Sequence, residues 1–277
     1  MKKSSEEFKK IIKEIAIREA QYLIEGIDID YKNRTVGFNP THENNVDTSV
    51  ILNPKYSNIN GIDVISLFTR KKSISGGDGN PLIYALKGLN DWKFKNGNSD
   101  IYGLLRQFLL ISQKIKEKYD TIITIPSSKY LNTIFLHKLN KIIKADNLIE
   151  DYFYKMLADE VFEDYVDWQS IDRDNSDIEF EKISKDINMY FYNMHTKNNG
   201  IFSYKYIKNP DLRKYIKKTM WSTEEKSVEC APYINGKSIL ILDDTISSGQ
   251  SISEATSNIA NIFDPKSITV ITLFSAL

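Results

Sequence analysis

The stretch Ser238–Ser251 reads SILILDDTISSGQS, and this stretch decides the class of fold. Four consecutive aliphatic residues follow Ser238, a short apolar run that is typical of a strand buried on both faces of a parallel sheet. Two adjacent acids, Asp243 and Asp244, come directly after this run. A hydroxyl-rich turn with one glycine, Gly249, follows them. The sequence therefore predicts a buried strand whose end carries two negative charges and leads straight into a loop.

Strands and helices are predicted to alternate on both sides of this stretch. Residues 121–125 (TIITI) read as a short buried strand, and residues 131–143 read as the helix that follows it. After the quoted loop, Ser251 and Glu254 indicate a capping box at the start of another helix, and residues 268–274 form a last strand. Such strand–helix–strand repeats predict an α/β fold of the Rossmann-like kind, with a parallel twisted sheet flanked by helices.

Composition shifts divide the chain into a main domain and two added parts. Residues 1–75 read as an N-terminal extension, with a helix at 6–24 and short strands at 34–38, 49–52 and 62–68. Residues 76–277 form the predicted main domain, which includes a helix at 101–115. Within it, residues 151–235 are rich in charged residues, Asn and Tyr, and they read as a helical insertion with mobile loops.

Composition also limits the classes of function. The 277 residues are 41% hydrophobic, with 37 basic and 37 acidic side chains, so the zero net charge does not favour wholesale binding of nucleic acid. The single cysteine, Cys230, rules out an internal disulfide and fits a reducing cytoplasm. No apolar run reaches membrane-spanning length, and no His or Cys pair has metal-ligand spacing. We expect a cytoplasmic protein without a membrane anchor and without a metal bound directly by its side chains.

The quoted loop combines two different chemical demands. Ligands of open parallel sheets bind beyond the carboxyl ends of the strands, and a helix N-terminus there attracts anions. Gly249 lets the backbone approach a phosphate closely, whereas Asp243 and Asp244 require hydroxyl donors or a cation. The side chains that can add hydroxyl donors are Thr245, Ser247, Ser248 and Ser251. A sugar phosphate satisfies both demands, because its hydroxyls meet the acids and its phosphate lies in the loop.

The stretch closely resembles the signature of type I phosphoribosyltransferases, in which four aliphatic residues and two acids precede a loop rich in Thr, Ser and Gly. That family binds 5-phosphoribosyl-1-pyrophosphate (PRPP) with Mg²⁺, which is held through substrate and water. The resemblance implies that Asp243 and Asp244 are the catalytic-site acids that bind the ribose hydroxyls. It implies a 5′-phosphate cradle formed by Thr245, Ile246, Ser247, Ser248, Gly249, Gln250 and Ser251. The family usually has an aliphatic residue at the position of Thr245.

Two further segments show weaker resemblance to the same family. Residues 80–88 (NPLIYALKG) are similar to the start of ComF-like phosphoribosyltransferase domains, and Lys87 within them is either a phosphate contact or a surface lysine. Residues 123–129 (ITIPSSK) fall where the family places its pyrophosphate loop, which implies that Ser127, Ser128 and Lys129 bind pyrophosphate. This segment lacks the usual glycine, so an ordinary strand-to-helix turn is the alternative.

A basic run at residues 205–218 falls where the family has its mobile catalytic loop. The resemblance implies that Lys214 and Lys217 belong to that loop, and the alternative is the solvated face of a helix. Tyr204, Tyr206 and Trp221 either stack on a base or pack in a core.

The predicted function is transfer of a phosphoribosyl group from PRPP to an unknown acceptor, with release of pyrophosphate. The alternative is a regulatory or effector module with the same fold in a protein assembly, as in retron-type anti-phage systems of bacteria. Under either hypothesis, residues 1–75 or 151–235 are the expected contacts of a protein partner, and a homodimer or a subunit of a larger complex is expected. Nucleic-acid binding through residues 205–218 is the third and weakest hypothesis.

Overall fold

A computed structural model describes residues 26–38, 46–71, 80–127, 131–246 and 249–275. The helix predicted at residues 6–24 therefore lies outside the described residues. No helix of the described part is both long enough and apolar enough to cross a membrane.

Most strands of the described part belong to one large sheet, whose order is β6-β2-β1-β3-β5-β12-β11-β7-β8, with β4 also paired to β5. A separate two-stranded sheet joins β9 and β10. The strands are β1 (Ile27–Asp30), β2 (Thr35–Phe38), β3 (Val46–Asp47), β4 (Lys55–Ile59), β5 (Ile62–Arg70), β6 (Lys93–Phe94), β7 (Thr121–Thr124), β8 (Asn147–Ile149), β9 (Tyr154–Lys155), β10 (Met220–Trp221), β11 (Ser238–Thr245) and β12 (Ser267–Phe274).

The centre of the large sheet is parallel, as the sequence predicted. Strand β11 pairs in parallel with β7 on one side and with β12 on the other, so Leu240 lies opposite both Ile122 and Thr269. The parallel order continues from β7 to β8 and from β12 to β5. The aliphatic run of β11 is buried because it lies between two strands and between two layers of helices.

Helices cover both faces of the parallel strands. They are α1 (Asn80–Lys87), α2 (Asn98–Ser112), α3 (Leu131–Ile143), α4 (Ala158–Asp164), α5 (Trp168–Asp174), α6 (Asp177–Lys197), α7 (Glu224–Ile234) and α8 (Gln250–Ile262), with 3-10 turns at Tyr204–Tyr206 and Pro210–Tyr215. Leu240 and Leu242 pack in the core that α1, α2 and α3 cover. Ile239 and Ile241 point to the opposite face and pack in the core that α7 and α8 cover. Because successive side chains of a strand point to opposite faces, this one aliphatic run contributes to both cores.

The segment predicted as an N-terminal extension joins the same sheet. Strand β5 pairs in parallel with β12 and, on its other edge, in antiparallel fashion with β3 and β4. The division predicted at residue 75 therefore does not coincide with an edge of the sheet. The strand predicted at residues 49–52 is wrong, because the described chain turns there after β3. Buried hydrogen bonds hold that turn, in which Asn53 donates to the carbonyl of Ser49 at 2.8 Å.

The predicted helical insertion has a hydrophobic core of its own. Its buried members run from Met156 to Ile216 and include Ile171, Phe191 and Met194. Helix α7 falls inside the range predicted for the insertion, yet its Cys230 packs in the core beneath the parallel sheet. The separately packed part is therefore shorter than residues 151–235.

Candidate functional site

The candidate site lies at the reversal point of the parallel sheet, where the chain stops adding strands on one side and starts adding them on the other side. From β7 the chain passes through α3 to β8 on one side, and from β11 it passes through α8 to β12 on the other side. The carboxyl ends of β7 and β11 are neighbours at this point, and ligands of open α/β sheets bind in the crevice outside such ends. Ser127 follows β7, whereas Asp243 and Asp244 lie at the end of β11.

Asp244 connects three elements at this point. Its Oδ2 accepts a hydrogen bond from Ser127 Oγ at 2.8 Å and forms an ion pair with Lys87 Nζ at the end of α1. The exposed fractions of the two paired side chains are only 10% for Lys87 and 15% for Asp244. Burial opposes ionisation of Asp244, but the ammonium of Lys87 and these hydrogen bonds hold the pKa of its carboxyl below its usual value. Lys87 is therefore a cleft residue and not a surface lysine.

Asp243 lies in the opposite electrostatic situation. Burial and the neighbouring charge of Asp244 raise the pKa of the Asp243 carboxyl to about 7, although a hydrogen bond from the Asp244 amide at 2.8 Å opposes this rise. Lys155 and Lys87 also oppose it through their positive charge. The pKa values of the two adjacent acids are thus shifted in opposite directions, and such perturbed pKa values are typical of functional sites.

The loop after β11 leads into the N-terminus of α8. Gly249 is the N-cap of this helix and has a φ of 76°, a left-handed conformation that favours glycine. A β-carbon at this position would lie 3.1 Å from Ile59 Cγ2. Ser251 faces the cleft in the first turn, together with Thr245 before the loop. Gln250 begins the helix, while Ser247 and Ser248 lie outside the described residues.

Ile246 does not present its side chain to a ligand, because that side chain is buried in the core. Its amide donates to the carbonyl of Phe274 at 3.2 Å, and its carbonyl accepts from Arg70. The sequence prediction placed Ile246 in the phosphate cradle, but the structure makes it an anchor of the loop.

Arg70 is a buried cation that the sequence reading missed. It ends β5, and its guanidinium donates to the carbonyl of Ile246 at 2.7 Å, to the carbonyl of Ser275 at 2.7 Å and to Asn80 Oδ1 at 2.8 Å. Arg70 also lines the cleft. Its position at the carboxyl end of a strand was the signal, but that strand was assigned to the extension and not to the parallel sheet.

A cleft of about 630 Å³ joins these groups to a wall from the insertion. The wall comprises Lys155, Phe202, Ser203, Tyr204, Arg213, Thr219 and Met220. Tyr204 is half-buried and packs edge-on against Phe202, with ring centroids 4.9 Å apart. Burial, aided by the charge of Glu254, raises the pKa of the Tyr204 hydroxyl. Lys155 carried no recognisable signal in the sequence, because it lies on a strand of two residues.

The charges on the cleft favour an anionic ligand. Four basic side chains and two acidic side chains line it, namely Arg70, Lys87, Lys155, Arg213, Asp243 and Asp244. Positive charge in a partly closed cleft attracts anions and strengthens their binding, because the surrounding protein lowers the local dielectric constant. The excess of two positive charges therefore suits a phosphorylated ligand.

Two other predicted site residues, Lys214 and Lys217, do not line this cleft. Lys214 lies over the ring of Tyr215, with its Nζ 4.6 Å from the ring centroid, and Lys217 pairs with Asp167 at 2.8 Å. Neither lysine lines the cleft, so the structure does not support a role in it; their neighbour Arg213 does line it. Ser128 and Lys129 lie outside the described residues.

The capping box predicted from Ser251 and Glu254 is wrong. Glu254 Oε1 accepts hydrogen bonds from the backbone amides of Thr219 at 2.6 Å and of Met220 at 2.7 Å. Its Oε2 accepts from Thr219 Oγ1 at 2.7 Å. The carboxylate thus binds the insertion and not the start of its own helix.

No cluster of three or more His, Cys, Asp or Glu in the described part is placed to hold a metal ion. Comparison with protein-family models gives no match for this chain, and comparison with curated proteins gives no significant match. Functional assignment therefore depends on the chemistry of the cleft.

Proposed function

We propose that this chain binds PRPP with Mg²⁺ in the cleft and transfers its phosphoribosyl group to an acceptor, with release of pyrophosphate. The observation that carries the proposal is the pair Asp243 and Asp244 at the reversal point of the parallel sheet, directly before a loop capped by Gly249. A helix N-terminus with a left-handed glycine suits a phosphate, and two carboxylates suit the hydroxyls of a ribose. The resemblance of the stretch to type I phosphoribosyltransferases agrees with this reading.

The residues of the cleft have separate roles under this proposal. Thr245 and Ser251 add hydroxyl donors beside the amides of the loop, and Asp243 and Asp244 accept from the ribose hydroxyls. A carboxylate accepts about four hydrogen bonds, so Asp244 can bind a hydroxyl while it keeps its bonds to Lys87 and Ser127. The basic side chains of the cleft stabilise the negative charge of pyrophosphate.

In the reaction, the bond between ribose C1 and the pyrophosphate oxygen breaks, and the electron pair leaves with pyrophosphate. A bond from the acceptor nucleophile to C1 forms, and the acceptor loses its proton. The carbon passes through a cation-like state, so preorganised charge and fixed orientation supply most of the rate enhancement. Asp243 and Asp244 orient the ribose and do not attack it.

The donor set fits Mg²⁺, because carboxylate and hydroxyl oxygens are its preferred ligands and it keeps several waters. A bound cation would favour the ionised form of Asp243, whose pKa is otherwise raised by burial and by the charge of Asp244. Asp243 and Asp244 would hold the ion through water and through the ribose hydroxyls. When bound, the ion supplies neutralisation of the pyrophosphate charge.

Calorimetric titration of PRPP with Mg²⁺ tests the proposal, followed by a pyrophosphate-release assay across a panel of bases. Asp243→Asn combined with Asp244→Asn should abolish binding, whereas Lys217→Ala should bind as the wild type does. Unchanged affinity of the double variant for Mg–PRPP would refute the proposal. Binding without release across the panel would favour a ligand-sensing module over a transferase.

A second candidate function is a regulatory or effector module in a protein assembly, as in retron-type systems. The observation that favours it is the separate core of the insertion, together with exposed apolar residues on α6. Ile178 is 84% exposed and Tyr192 is 68% exposed. Size-exclusion chromatography after co-expression with the products of neighbouring genes tests it, because an effector should elute with a partner and a free enzyme should not.

A further inference from the structure

The insertion wall is attached to α8, the helix that follows the phosphate-binding loop. Glu254 on the first turns of α8 accepts three hydrogen bonds from Thr219 and Met220, all between 2.6 and 2.7 Å. Both of these residues line the cleft. The carboxylate is therefore a direct link between the loop-bearing helix and the opposite wall.

The link extends to a cation of the cleft through the small sheet. Met220 on β10 pairs with Lys155 on β9, and Lys155 lines the cleft and acts electrostatically on Asp243. A shift of Thr219 and Met220 would shift β9 as well, because the two strands share their backbone hydrogen bonds. The position of Lys155 in the cleft thus depends on the anchoring of β10.

Among the hydrogen bonds described, those of Glu254 are the shortest between this part of the insertion and α8. Residues next to the wall also contact α8, since Asn258 Oδ1 accepts from Tyr152 Oη at 3.2 Å and from Ser222 Oγ at 3.5 Å. Hydrogen bonds to an ionised carboxylate are shorter and about twice as strong as bonds between neutral groups. Loss of Glu254 therefore removes three short hydrogen bonds that attach this part of the insertion to α8.

We propose that Glu254 is a positioning residue, which fixes the β9–β10 pair and its Lys155 against the helix of the phosphate-binding loop so that the cleft can hold a diphosphate. This inference rests on the proposed function, since the pyrophosphate of PRPP is the group that Lys155 would meet. Ribose 5-phosphate carries no diphosphate, so it engages the loop and the acids but not Lys155.

Three variants of Glu254 distinguish the effect of its side-chain length from the effect of its charge. Glu254→Gln keeps an oxygen that accepts both amides and an amide group that donates to Thr219 Oγ1. Glu254→Ala removes the contact, and Glu254→Asp keeps the charge but shortens the reach by one methylene. Glu229→Ala on α7 is the matched control, because Glu229 is exposed and, among the bonds described, pairs only with Lys226.

Two measurements on each full-length variant test the proposal. Hydrogen exchange at the amides of Thr219 and Met220 should accelerate at least about tenfold in Glu254→Ala and Glu254→Asp, since these amides lose a charged acceptor. In calorimetry the same variants should bind Mg–PRPP about tenfold more weakly, and ribose 5-phosphate within about twofold of wild type. Glu254→Gln should lie between the wild type and Glu254→Ala in both measurements, because it keeps the acceptor oxygen but not its charge. Glu229→Ala should match the wild type.

The outcomes distinguish this inference from the proposed function. Unchanged exchange at both amides would overturn the inference, and so would an equal loss of affinity for both ligands, which would mark general loosening of α8. If the wild type binds no Mg–PRPP, the proposed function fails and the diphosphate role of Lys155 fails with it. In that case accelerated exchange would still establish that Glu254 fixes the wall.

Discussion

Replacing Asp243 by Asn should raise the free energy of unfolding at pH 8 and change it little at pH 5. The carboxyl of Asp243 has its pKa raised to about 7 by burial and by the charge of Asp244. Asn keeps the oxygen that accepts from the Asp244 amide at 2.8 Å, and it removes the charge. The variant therefore tests the electrostatic cost of two adjacent acids with little change in shape.

The sign and size of the effect follow from linkage. A carboxyl with a raised pKa in the folded state binds its proton more tightly there, so stability falls as pH rises from about 4 to about 7 and stays low above 7. A rise from 3.8 to about 7 corresponds to about 4 kcal/mol at full burial. Because the cleft admits water, we expect about half of this, a gain of ~2 kcal/mol at pH 8.

Urea unfolding, followed by the fluorescence of the three tryptophans, measures this gain at both pH values. At pH 5 the gain should be below about 1 kcal/mol, because most of the wild-type Asp243 is then protonated. The matched control is Lys87→Met, which removes the ammonium from Asp244. Asp244 has a lowered pKa, so its contribution is present above about pH 4 and is lost as pH falls.

Lys87→Met should therefore destabilise the protein at pH 8 by about 3 kcal/mol and by less toward pH 4. The two variants should thus change stability in opposite directions, each most strongly at high pH. A stability gain in Asp243→Asn that does not depend on pH, or a loss at pH 8, would refute the reasoning that like charges oppose each other at the end of β11.

Three other substitutions have clear expected outcomes. Arg70→Met should lower the free energy of unfolding by at least about 3 kcal/mol, because three acceptors lose their hydrogen bonds to a buried guanidinium. Thermal denaturation measures this loss, and a change below about 1 kcal/mol would contradict the prediction. Gly249→Ala should lower the free energy of unfolding by about 1–2 kcal/mol, because the residue has a φ of 76° and Ile59 lies close to it. Urea unfolding measures this loss, and calorimetry should show weaker binding of Mg–PRPP. Wild-type affinity would show that the loop tolerates a side chain. Lys217→Ala removes the ion pair with Asp167, so it should lower the free energy of unfolding by less than about 1 kcal/mol and leave ligand affinity unchanged. A large loss of affinity would indicate that Lys217 does belong to the ligand site.

The parallel centre of the fold was predictable because its elements have strong local patterns. The strand at residues 121–124 and the helix at residues 131–143 were predicted almost to the residue, because a short β-branched run favours a strand and apolar residues at helical spacing favour a helix. The end of β11 was predictable for the same reason, and it places Asp243 and Asp244 at the edge of the sheet.

The rest of the site depends on contacts between distant residues. Lys87 and Asp244 are separated by 157 residues, and no local pattern indicates that a lysine at the end of one helix meets the end of a later strand. Arg70 and Lys155 escaped prediction because the strand order that brings them to the cleft is a tertiary property. Glu254 matched a local capping pattern, but the amides of Thr219 and Met220 are better donors because they lie beside it in the folded chain.

The order of synthesis bears on how strand β5 finds its place. Its parallel neighbour β12 is made much later, and the bond between Ser66 Oγ and Thr272 Oγ1 joins residues 206 positions apart. Until β12 emerges from the ribosome, one edge of β5 and one edge of β11 stay without their partner. Unpaired, apolar strand edges invite association between nascent chains, and long-range parallel pairing is slow. We therefore expect the yield of soluble protein to depend on translation rate and on chaperones that shield these two edges until the last strand arrives.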